Sequence, residues 1–565
     1  MTGAETLADS VYAWLAADPD PAARAELVDL DDHALAERFA APLRFGTAGL
    51  RGPVRAGPAG MNRLVVRRAT RALAAWLRQH PGETETVVVG CDARHGSAEF
   101  AAEAVEVMRQ WGFDVVALTG TVPTPVLAHT TRALHAAAGI MVTASHNPPA
   151  DNGYKVYLGG DDLTRGAQLV PPADAAIEHL MTSDPHPAVA QRVSPVSDTD
   201  PRAAAAVEAY LARLVERFGT GPRPVRVALT AMHGVGGAIA VQALRTAGVT
   251  DIAVVAEQFD PDPDFPTVAF PNPEEPGAAD MLLDLARAGG ADVAIALDPD
   301  ADRCAVGCLV DGRWRMLTGD ETGALLADHL LTDRVDADRD PASTHGAAAV
   351  PLVASTIVSG SLVEKVCAHR GARFARTLTG FKWLVRAGGG LLYAYEEAIG
   401  HCVDPDAVRD KDGIATAVAV TDLVHRRLLA GSDLAGALDD LTDRHGVHLT
   451  GQVAHRTEDL SSITAAMTRL RTTPPETLLD HHATVDDFAT RDDGLRTDAV
   501  SISAGDDDTR LRIIVRPSGT EPKVKAYLEV ALAPDPDRAA ARVRADALLD
   551  RLRSAARSLV AGTAP

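Results

Sequence analysis

Short apolar runs separated by longer amphipathic stretches make up most of the chain. The first three runs lie at residues 86–91, 114–118 and 140–143 and alternate with stretches rich in Ala, Leu and Arg. Because parallel strands need a crossover connection, this alternation predicts a parallel sheet covered by helices on both faces. An Ala-rich segment at residues 1 to about 40 predicts a helical entry before the first strand.

The same alternation of apolar runs and amphipathic stretches begins again twice and then gives way to a different pattern. The later runs lie at residues 225–229, 252–256 and 293–297, and at residues 347–358, 373–377 and 391–395. After about residue 446, shorter runs with hairpin-like turns follow at 500–503, 510–515 and 524–532, and a final helix is predicted at about 536–559.

We therefore predict an α/β protein with three tandem α/β domains, whose sheets are mixed and mainly parallel, and a C-terminal α+β domain, arranged around a central cleft. A length of 565 residues is sufficient for three to four domains. The predicted domains are 1–220, 221–315, 316–445 and 446–565.

Composition narrows the classes of function. A net charge of −22 disfavours nucleic acid as a partner, because phosphate backbones bind basic surfaces, and an anionic substrate would need a locally basic cleft. The five cysteines are scattered, which is typical of reduced intracellular thiols. The sequence has neither a secretory leader nor a long uninterrupted apolar run, so we expect no membrane association and a cytoplasmic location.

The most informative motif follows the run at 140–143. It places Ser145 and His146 just before Asn147 and two prolines, which cannot continue a strand or a helix. A hydroxyl is thus predicted at the carboxyl end of a strand, on a stiff, exposed turn. In open α/β sheets, ligands bind at this edge.

A second motif follows the run at 293–297, which leads into Asp298, Asp300, Asp302 and Arg303. Closely spaced carboxylates repel one another unless a cation neutralises them, and Mg²⁺ prefers oxygen ligands. An EF-hand is excluded, because Arg303 and Leu309 stand where that loop needs Gly and Glu. The motif predicts a Mg²⁺ site, with a solvated acidic turn as the alternative.

A third motif follows the run at 510–515 and consists of Arg516, Ser518, Gly519, Thr520 and Lys523. Cations, hydroxyl donors and a flexible glycine together form a phosphate cradle that needs no P-loop. The alternative is a hairpin loop with incidental cations.

Lysine is rare in this chain, with six lysines among 55 basic residues. A position that keeps Lys where Arg is the rule is a candidate for a compact ammonium that can also lose a proton. Four of the six lie in Gly- or Pro-bearing loops: Lys155, Lys382, Lys411 and Lys523.

Together these motifs resemble the α-D-phosphohexomutase family, which includes phosphoglucomutases and phosphomannomutases. The resemblance covers about residues 40–532 and four motifs in the family's order. They are the phosphoserine loop at 143–148, the metal loop at 298–303, the sugar-binding loop at 395–400 and the phosphate-binding loop at 516–520. The sugar-binding loop is most similar to the branch that contains phosphoglucomutases and phosphopentomutases.

The resemblance implies a phosphorylated Ser145, one Mg²⁺ per chain, and glucose 1,6-bisphosphate as activator and intermediate. The implied metal ligands are Ser145, Asp298, Asp300 and Asp302, and the implied catalytic residues are Ser145, His146, Lys155, Arg51 and His401. The general base stays open between Lys155 and His401, whereas Arg51 suits an electrostatic clamp. The substrate would contact Thr379, Gly380, Lys382, Glu396, Ala398 and Arg303, and its phosphate would contact Arg516, Ser518, Gly519, Thr520 and Lys523. Ala398 replaces the Ser of many members.

The expected function is a phosphoglucomutase, an intramolecular phosphotransferase that interconverts α-D-glucose 1-phosphate and glucose 6-phosphate. Phosphomannomutase and phosphopentomutase activities are the alternatives within the family. A non-catalytic sugar-phosphate sensor and a metal-dependent sugar phosphatase are the alternatives outside it. We expect a small sugar phosphate as partner, no nucleic acid and no membrane, and a monomer or homodimer.

Overall fold

A computed structural model describes residues 6–46, 49–183, 200–339, 350–456, 460–517 and 523–561. The chain divides into two compact units. The first contains residues 1–307, 312–316 and 400–425, and the second contains residues 308–311, 317–399 and 426–565. Among the described residues, none of the helices combines the length and the apolar character that a membrane crossing requires.

The first unit begins with three helices and a mixed sheet. The elements are α1 (Leu7–Ala17), α2 (Pro21–Val28), α3 (Asp32–Phe39), β1 (Leu50–Pro53), α4 (Arg63–Gln79), β2 (Thr86–Cys91), α5 (Ser97–Gln110), β3 (Asp114–Ala117), α6 (Thr124–Ala133), β4 (Ala138–Val142), β5 (Asp151–Leu158), β6 (Ala167–Gln168), α7 (Ala173–Ser183), α8 (Pro201–Ala204) and α9 (Ala206–Phe218). The sheet has the order β1-β5-β4-β2-β3, and β6 pairs with β5.

The predicted strands at 86–91, 114–118 and 140–143 correspond to β2, β3 and β4, which are parallel. β5 is antiparallel to both β1 and β4, so this sheet is not purely parallel. The sequence did not reveal β5 as a strand, because Asp151, Asn152 and Lys155 interrupt its apolar residues. Asn152 and Lys155 are nevertheless buried, as expected for a strand in a sheet that is covered on both faces.

The second part of the first unit repeats the α/β arrangement. It contains β7 (Arg223–Thr230), α10 (Gly237–Thr246), β8 (Val249–Val254), α11 (Asp280–Gly289), β9 (Val293–Leu297), the first half of β10 (Cys304–Val310) and β11 (Arg313–Met316). β7 is parallel to β8 and β9, and the start of β10 is antiparallel to β9. Gly234 packs on the loop after β9, where an added Cβ would lie 2.4 Å from the Pro299 backbone.

The second unit contains a short parallel sheet and a larger antiparallel one. Its elements are α12 (Gly319–Arg339), β12 (Leu352–Thr356), α13 (Leu362–Arg370), β13 (Arg373–Thr377), α14 (Phe381–Leu384), β14 (Leu391–Glu396), α16 (Leu434–His445), β16 (His448–Arg456), α17 (Leu460–Thr472), β17 (Thr477–Leu478), β18 (His481–His482), β19 (Thr484–Asp487), β20 (Val500–Gly505), β21 (Thr509–Pro517), β22 (Lys523–Leu532) and α18 (Arg538–Ala561). β12 is parallel to β13 and β14, and the antiparallel sheet has the order β16-β22-β21-β20-β19.

Most predicted strands of the second unit are present within a few residues of their predicted bounds. The prediction at 347–358 is shorter in the structure, as β12, and residues 347–349 lie outside the described residues. Residues 400–425, with β15 (Gly400–Cys402) and most of α15 (Gly413–Leu429), belong to the first unit by their backbone contacts. The predicted bounds of the four domains stay predictions.

Candidate active site

Ser145 lies in the loop between β4 and β5, directly after a fully buried strand. Its hydroxyl donates to Asp298 Oδ2 at 2.8 Å and lies 3.2 Å from His146 Nδ1. Its backbone N–H donates to Thr143 Oγ1 at 2.9 Å. The prediction of an exposed turn is wrong, because Ser145 is only 1% exposed. The acidic loop after β9 and Arg94 contact it from two sides.

The three aspartates after β9 are fully buried, with 0% exposure each, so they do not form a solvated turn. Lys155 Nζ, from β5, lies 2.6 Å from Asp300 Oδ2 and 2.7 Å from Asp302 Oδ2. Lys411 Nζ lies 3.1 Å from Asp302 Oδ2. The Thr124 hydroxyl, at the start of α6, donates to Asp300 Oδ2 at 2.5 Å. Segments far apart in sequence thus converge on one carboxylate cluster.

Burial and neighbouring charges set the protonation of this cluster. Burial, reinforced by Asp300 and Asp302, raises the pKa of Asp298 well above its usual range. Burial also penalises a charged Asp302, but Lys155 and Lys411 outweigh it, so the pKa of Asp302 is lowered. Burial disfavours a charged Lys155, yet Asp300 and Asp302 again prevail and raise its pKa. Lys155 is therefore an ammonium at neutral pH in this arrangement.

The carboxylate cluster suits a hard divalent cation. One oxygen from each of Asp298, Asp300 and Asp302 lies within 4.8 Å of the others. Asp300 Oδ1 and Asp302 Oδ1 are buried and have no hydrogen-bond partner among the described residues. Buried carboxylate oxygens of this kind are costly without a partner, and an all-oxygen set favours Mg²⁺ over softer metals.

The remaining predicted catalytic residues differ in how directly they contact the Ser145 loop and the three aspartates. Arg51, on β1, donates from Nη1 to Asn147 Oδ1 at 3.3 Å, in the Ser145 loop. Arg303 follows the triad, and its backbone N–H donates to Asp298 Oδ1 at 2.9 Å. A backbone bridge pairs Arg303 with Gly400, so β15 and His401 join this part of the first unit. Burial lowers the pKa of His401 to about 3, and burial also lowers the pKa of His146 well below its usual range.

The predicted sugar- and phosphate-binding residues that the structure describes lie mostly in the second unit. Arg516 Nη1 donates to the Thr379 hydroxyl at 2.6 Å, which joins the two predicted sets. Gly380 precedes α14, Lys382 lies within it, Glu396 ends β14, Ala398 follows in the turn and Lys523 begins β22. Ser518, Gly519 and Thr520 lie outside the described residues.

The residue after Glu396 has its own polar partners. Glu397 Oε2 accepts hydrogen bonds from the Thr356 and Ser359 hydroxyls, each at 3.1 Å. Burial raises the pKa of Glu397 to about 7. These bonds tie the sugar-binding loop to the loop that follows β12.

Sequence reasoning missed three residues that belong to the Ser145 and carboxylate cluster: Arg94, Thr124 and Lys411. Lysine rarity did single out Lys411, although the expected site did not include it. The residues next to Arg94 and Thr124 in the sequence do not indicate a role in the site, because each of the two contacts residues 50 to 180 positions away. The hydrogen bond from Thr124 to Asp300, for example, spans 176 positions.

Four consecutive parts of the chain match the domains of one protein family. The matches are to phosphoglucomutase/phosphomannomutase alpha/beta/alpha domain I at residues 42–187, domain II at 208–309, domain III at 318–444 and the C-terminal domain at 468–548. The chain belongs to the phosphoglucomutase/phosphomannomutase family of α-D-phosphohexomutases. The predicted α/β fold class and the prediction of an enzyme are thereby confirmed.

Individual relatives of this phosphohexomutase carry different names. A probable phosphomannomutase of Haemophilus influenzae is 38% identical over 475 residues, 83% of this chain and 93% of that protein. A probable phosphoribomutase of Schizosaccharomyces pombe is 33% identical over 561 residues, covering 92% and 93%. The crystal structure of a putative phosphomannomutase from Thermus thermophilus matches with a TM-score of 0.65 at 23% identity, covering 92% and 99%, which shows the shared fold.

Proposed function

We propose that this enzyme is a phosphoglucomutase that works through a phosphoserine at Ser145. The observation that carries the proposal is the Ser145 hydroxyl, 2.8 Å from Asp298 within a fully buried carboxylate triad. A protein that only binds sugar phosphates has no need for a hydroxyl beside a cation site. A phosphoryl carrier needs both, because phosphoryl transfer depends on positioning and on neutralising charge.

Asp298, Asp300 and Asp302 are the residues that would hold one Mg²⁺, which when bound supplies positive charge to the transferred phosphoryl group. In the first half-reaction, a substrate hydroxyl oxygen bonds to the phosphorus of phosphoserine while the bond from phosphorus to the Ser145 oxygen breaks. The hydroxyl proton leaves to a base, and the Ser145 oxygen regains a proton. After the bisphosphate intermediate turns end for end, Ser145 accepts its other phosphate, so phosphate is moved and none is released.

We assign proton transfer to Lys155. As an ammonium it can donate a proton, and it can accept the proton of the substrate hydroxyl only after losing one of its own. Its Nζ lies beside Asp300 and Asp302, the cluster that also receives the Ser145 hydroxyl. His401 is a weaker candidate, because burial lowers its pKa to about 3 and so makes its imidazole a poor proton acceptor at neutral pH. Arg516 and Thr379, already joined by a hydrogen bond, suit the phosphate that is not reacting.

The proposed sugar is glucose; the sugar-binding loop resembles a branch that contains phosphoglucomutases and also phosphopentomutases. Ribose 1-phosphate is the second candidate, and two observations favour it. The probable phosphoribomutase aligns over 92% of this chain. Ala398 offers no hydroxyl where many members have Ser, and a pentose has one hydroxyl fewer to bind.

The test follows product formation from three sugar phosphates in parallel. Purified protein is incubated with Mg²⁺, a trace of glucose 1,6-bisphosphate, and glucose, mannose or ribose 1-phosphate, and products are quantified by phosphorus NMR. A dominant glucose rate that needs both metal and bisphosphate supports the proposal, whereas a dominant ribose rate selects the second candidate. Release of inorganic phosphate in step with sugar consumption would show a phosphatase. A folded protein that isomerises none of the three would be a sensor.

A further inference from the structure

Arg94 lies in the loop after β2, and its side chain is 1% exposed. Its guanidinium donates to four backbone carbonyls, three in the loop that carries Ser145 and the fourth at Asp151, the first residue of β5. Nη2 donates to the Ser145 carbonyl at 2.7 Å and to the Asn147 carbonyl at 2.6 Å. Nη1 donates to the Pro148 carbonyl at 2.8 Å and to the Asp151 carbonyl at 3.0 Å. One side chain thus forms hydrogen bonds along the loop that connects β4 to β5.

This loop needs such support because of its own sequence. Pro148 and Pro149 provide no N–H, so the loop cannot form a regular ladder of backbone hydrogen bonds. Ser145 has a φ of 53°, a left-handed conformation that costs a residue with a Cβ roughly 1 kcal/mol or more. Such a conformation persists only where the surroundings impose it. The bond from Arg94 to the Ser145 carbonyl lies directly at the strained residue.

Arg94 has no Nη hydrogen left to offer a phosphate, and its Nε is buried beside Asp92. Its four Nη hydrogens are taken by the four carbonyls, and its Nε lies 3.6 Å from Asp92 Oδ2. Asp92 in turn accepts bonds from the Arg94 backbone N–H at 3.0 Å and from the Ser97 hydroxyl at 2.6 Å. The Nη groups of Arg94 therefore hold backbone carbonyls, mostly of the Ser145 loop, rather than a phosphate.

We propose that Arg94 is a positioning residue, which fixes the Ser145 loop so that the hydroxyl stays aimed at Asp298. The role in catalysis rests on the proposed function, whereas the role in ordering the loop does not. Lys cannot replace Arg94 in this role. The three N–H donors of an ammonium share one nitrogen, whereas the planar guanidinium carries donors on separate nitrogens and can reach four carbonyls at once.

The test compares Arg94→Lys with Arg132→Lys as a matched control. Arg132 also caps carbonyls in the first unit, those of Arg165 at 2.8 Å, Asp162 at 3.0 Å and Asp406 at 2.6 Å, but none in the Ser145 loop. The first readout is the split between kcat and KM with the preferred sugar phosphate. The second is amide hydrogen exchange of residues 143–151 in the full chain, which needs no activity.

Arg94→Lys is expected to lower kcat by about 100-fold while KM changes by less than about threefold, because the loop is misplaced but the sugar contacts are intact. Exchange in residues 143–151 should become faster, and Arg132→Lys should change neither quantity. If Arg94→Lys does not fold, Asp92→Asn is used, which weakens the hold on the guanidinium and should give the same pattern with a smaller loss.

Unchanged exchange in residues 143–151, or a kcat within threefold of the unaltered enzyme, would overturn the proposal. If the unaltered protein isomerises no sugar phosphate, the proposed function fails on that result alone. In that case the exchange rates still decide whether Arg94 orders the loop.

Discussion

Thr124 offers a sharp test of the carboxylate cluster as a cation site. Its hydroxyl donates to Asp300 Oδ2 at 2.5 Å, its backbone N–H donates to the Asp300 carbonyl at 2.9 Å, and it is 0% exposed. Thr124→Val keeps the shape and the backbone bond but removes the hydroxyl donor. A hydrogen bond to a charged group is worth about 1.5–3 kcal/mol, and partners that orient a metal ligand commonly change metal affinity by about 10- to 100-fold.

We therefore expect Thr124→Val to weaken Mg²⁺ binding by about 10- to 100-fold, equivalent to about 1.4–2.7 kcal/mol. Isothermal titration calorimetry with Mg²⁺, repeated with Mn²⁺, measures the affinity directly. Thr124→Ser keeps the hydroxyl and serves as the control, with an affinity close to that of the unaltered protein. Equal affinities of the Val variant and the unaltered protein would refute the reasoning, as would a Ser variant weakened as much as the Val variant.

Three further predictions concern Ser145, Arg516 and Asp412. Ser145→Ala should reduce turnover by roughly a thousandfold or more and should lack the phosphate adduct that we expect intact mass spectrometry to detect in the unaltered protein; an adduct that persists would place the phosphate elsewhere. Arg516→Ala should raise KM by roughly tenfold with a smaller change in kcat, measured by steady-state kinetics, and an unchanged KM would contradict its role in holding phosphate. Burial raises the pKa of Asp412 from 3.8 to about 7, so the folded chain binds more protons than the unfolded chain between these values and stability falls as pH rises through that window. Asp412→Asn should remove this penalty, on the order of 4 kcal/mol when complete. Thermal melts of the variant and the unaltered protein should differ most near pH 8 and converge near pH 4, and a constant difference would contradict the assignment.

Apolar periodicity was sufficient to locate most parallel strands, because a strand buried on both faces must be apolar along its length. β9 lies at the predicted residues 293–297, and β2 at 86–91. β5 was not predicted, because polar residues interrupt its apolar pattern. One of them is Lys155, a predicted site residue, and a buried polar side chain cannot be recognised from the sequence before its partner is known.

The sequence by itself determined which chemistry each segment offers: a hydroxyl at Ser145, three carboxylates after β9, and cations at the end of β21 and the start of β22. These are local properties, since a strand that ends in polar residues places them at the edge of a sheet whatever the rest of the chain does. The sequence could not show that the Ser145 turn is buried, because burial depends on which other segments cover it.

Only the tertiary structure decided which of these groups meet and in what state of charge. Ser145 contacts Asp298 across 153 positions, and Lys155 contacts Asp300 across 145 positions. The opposite pKa shifts of Asp298 and Asp302 follow from which of them has an ammonium beside it. Charge interactions weaken with distance and strengthen on burial. The distance between two charges and the burial of each depend on the folded structure and cannot be read from the sequence.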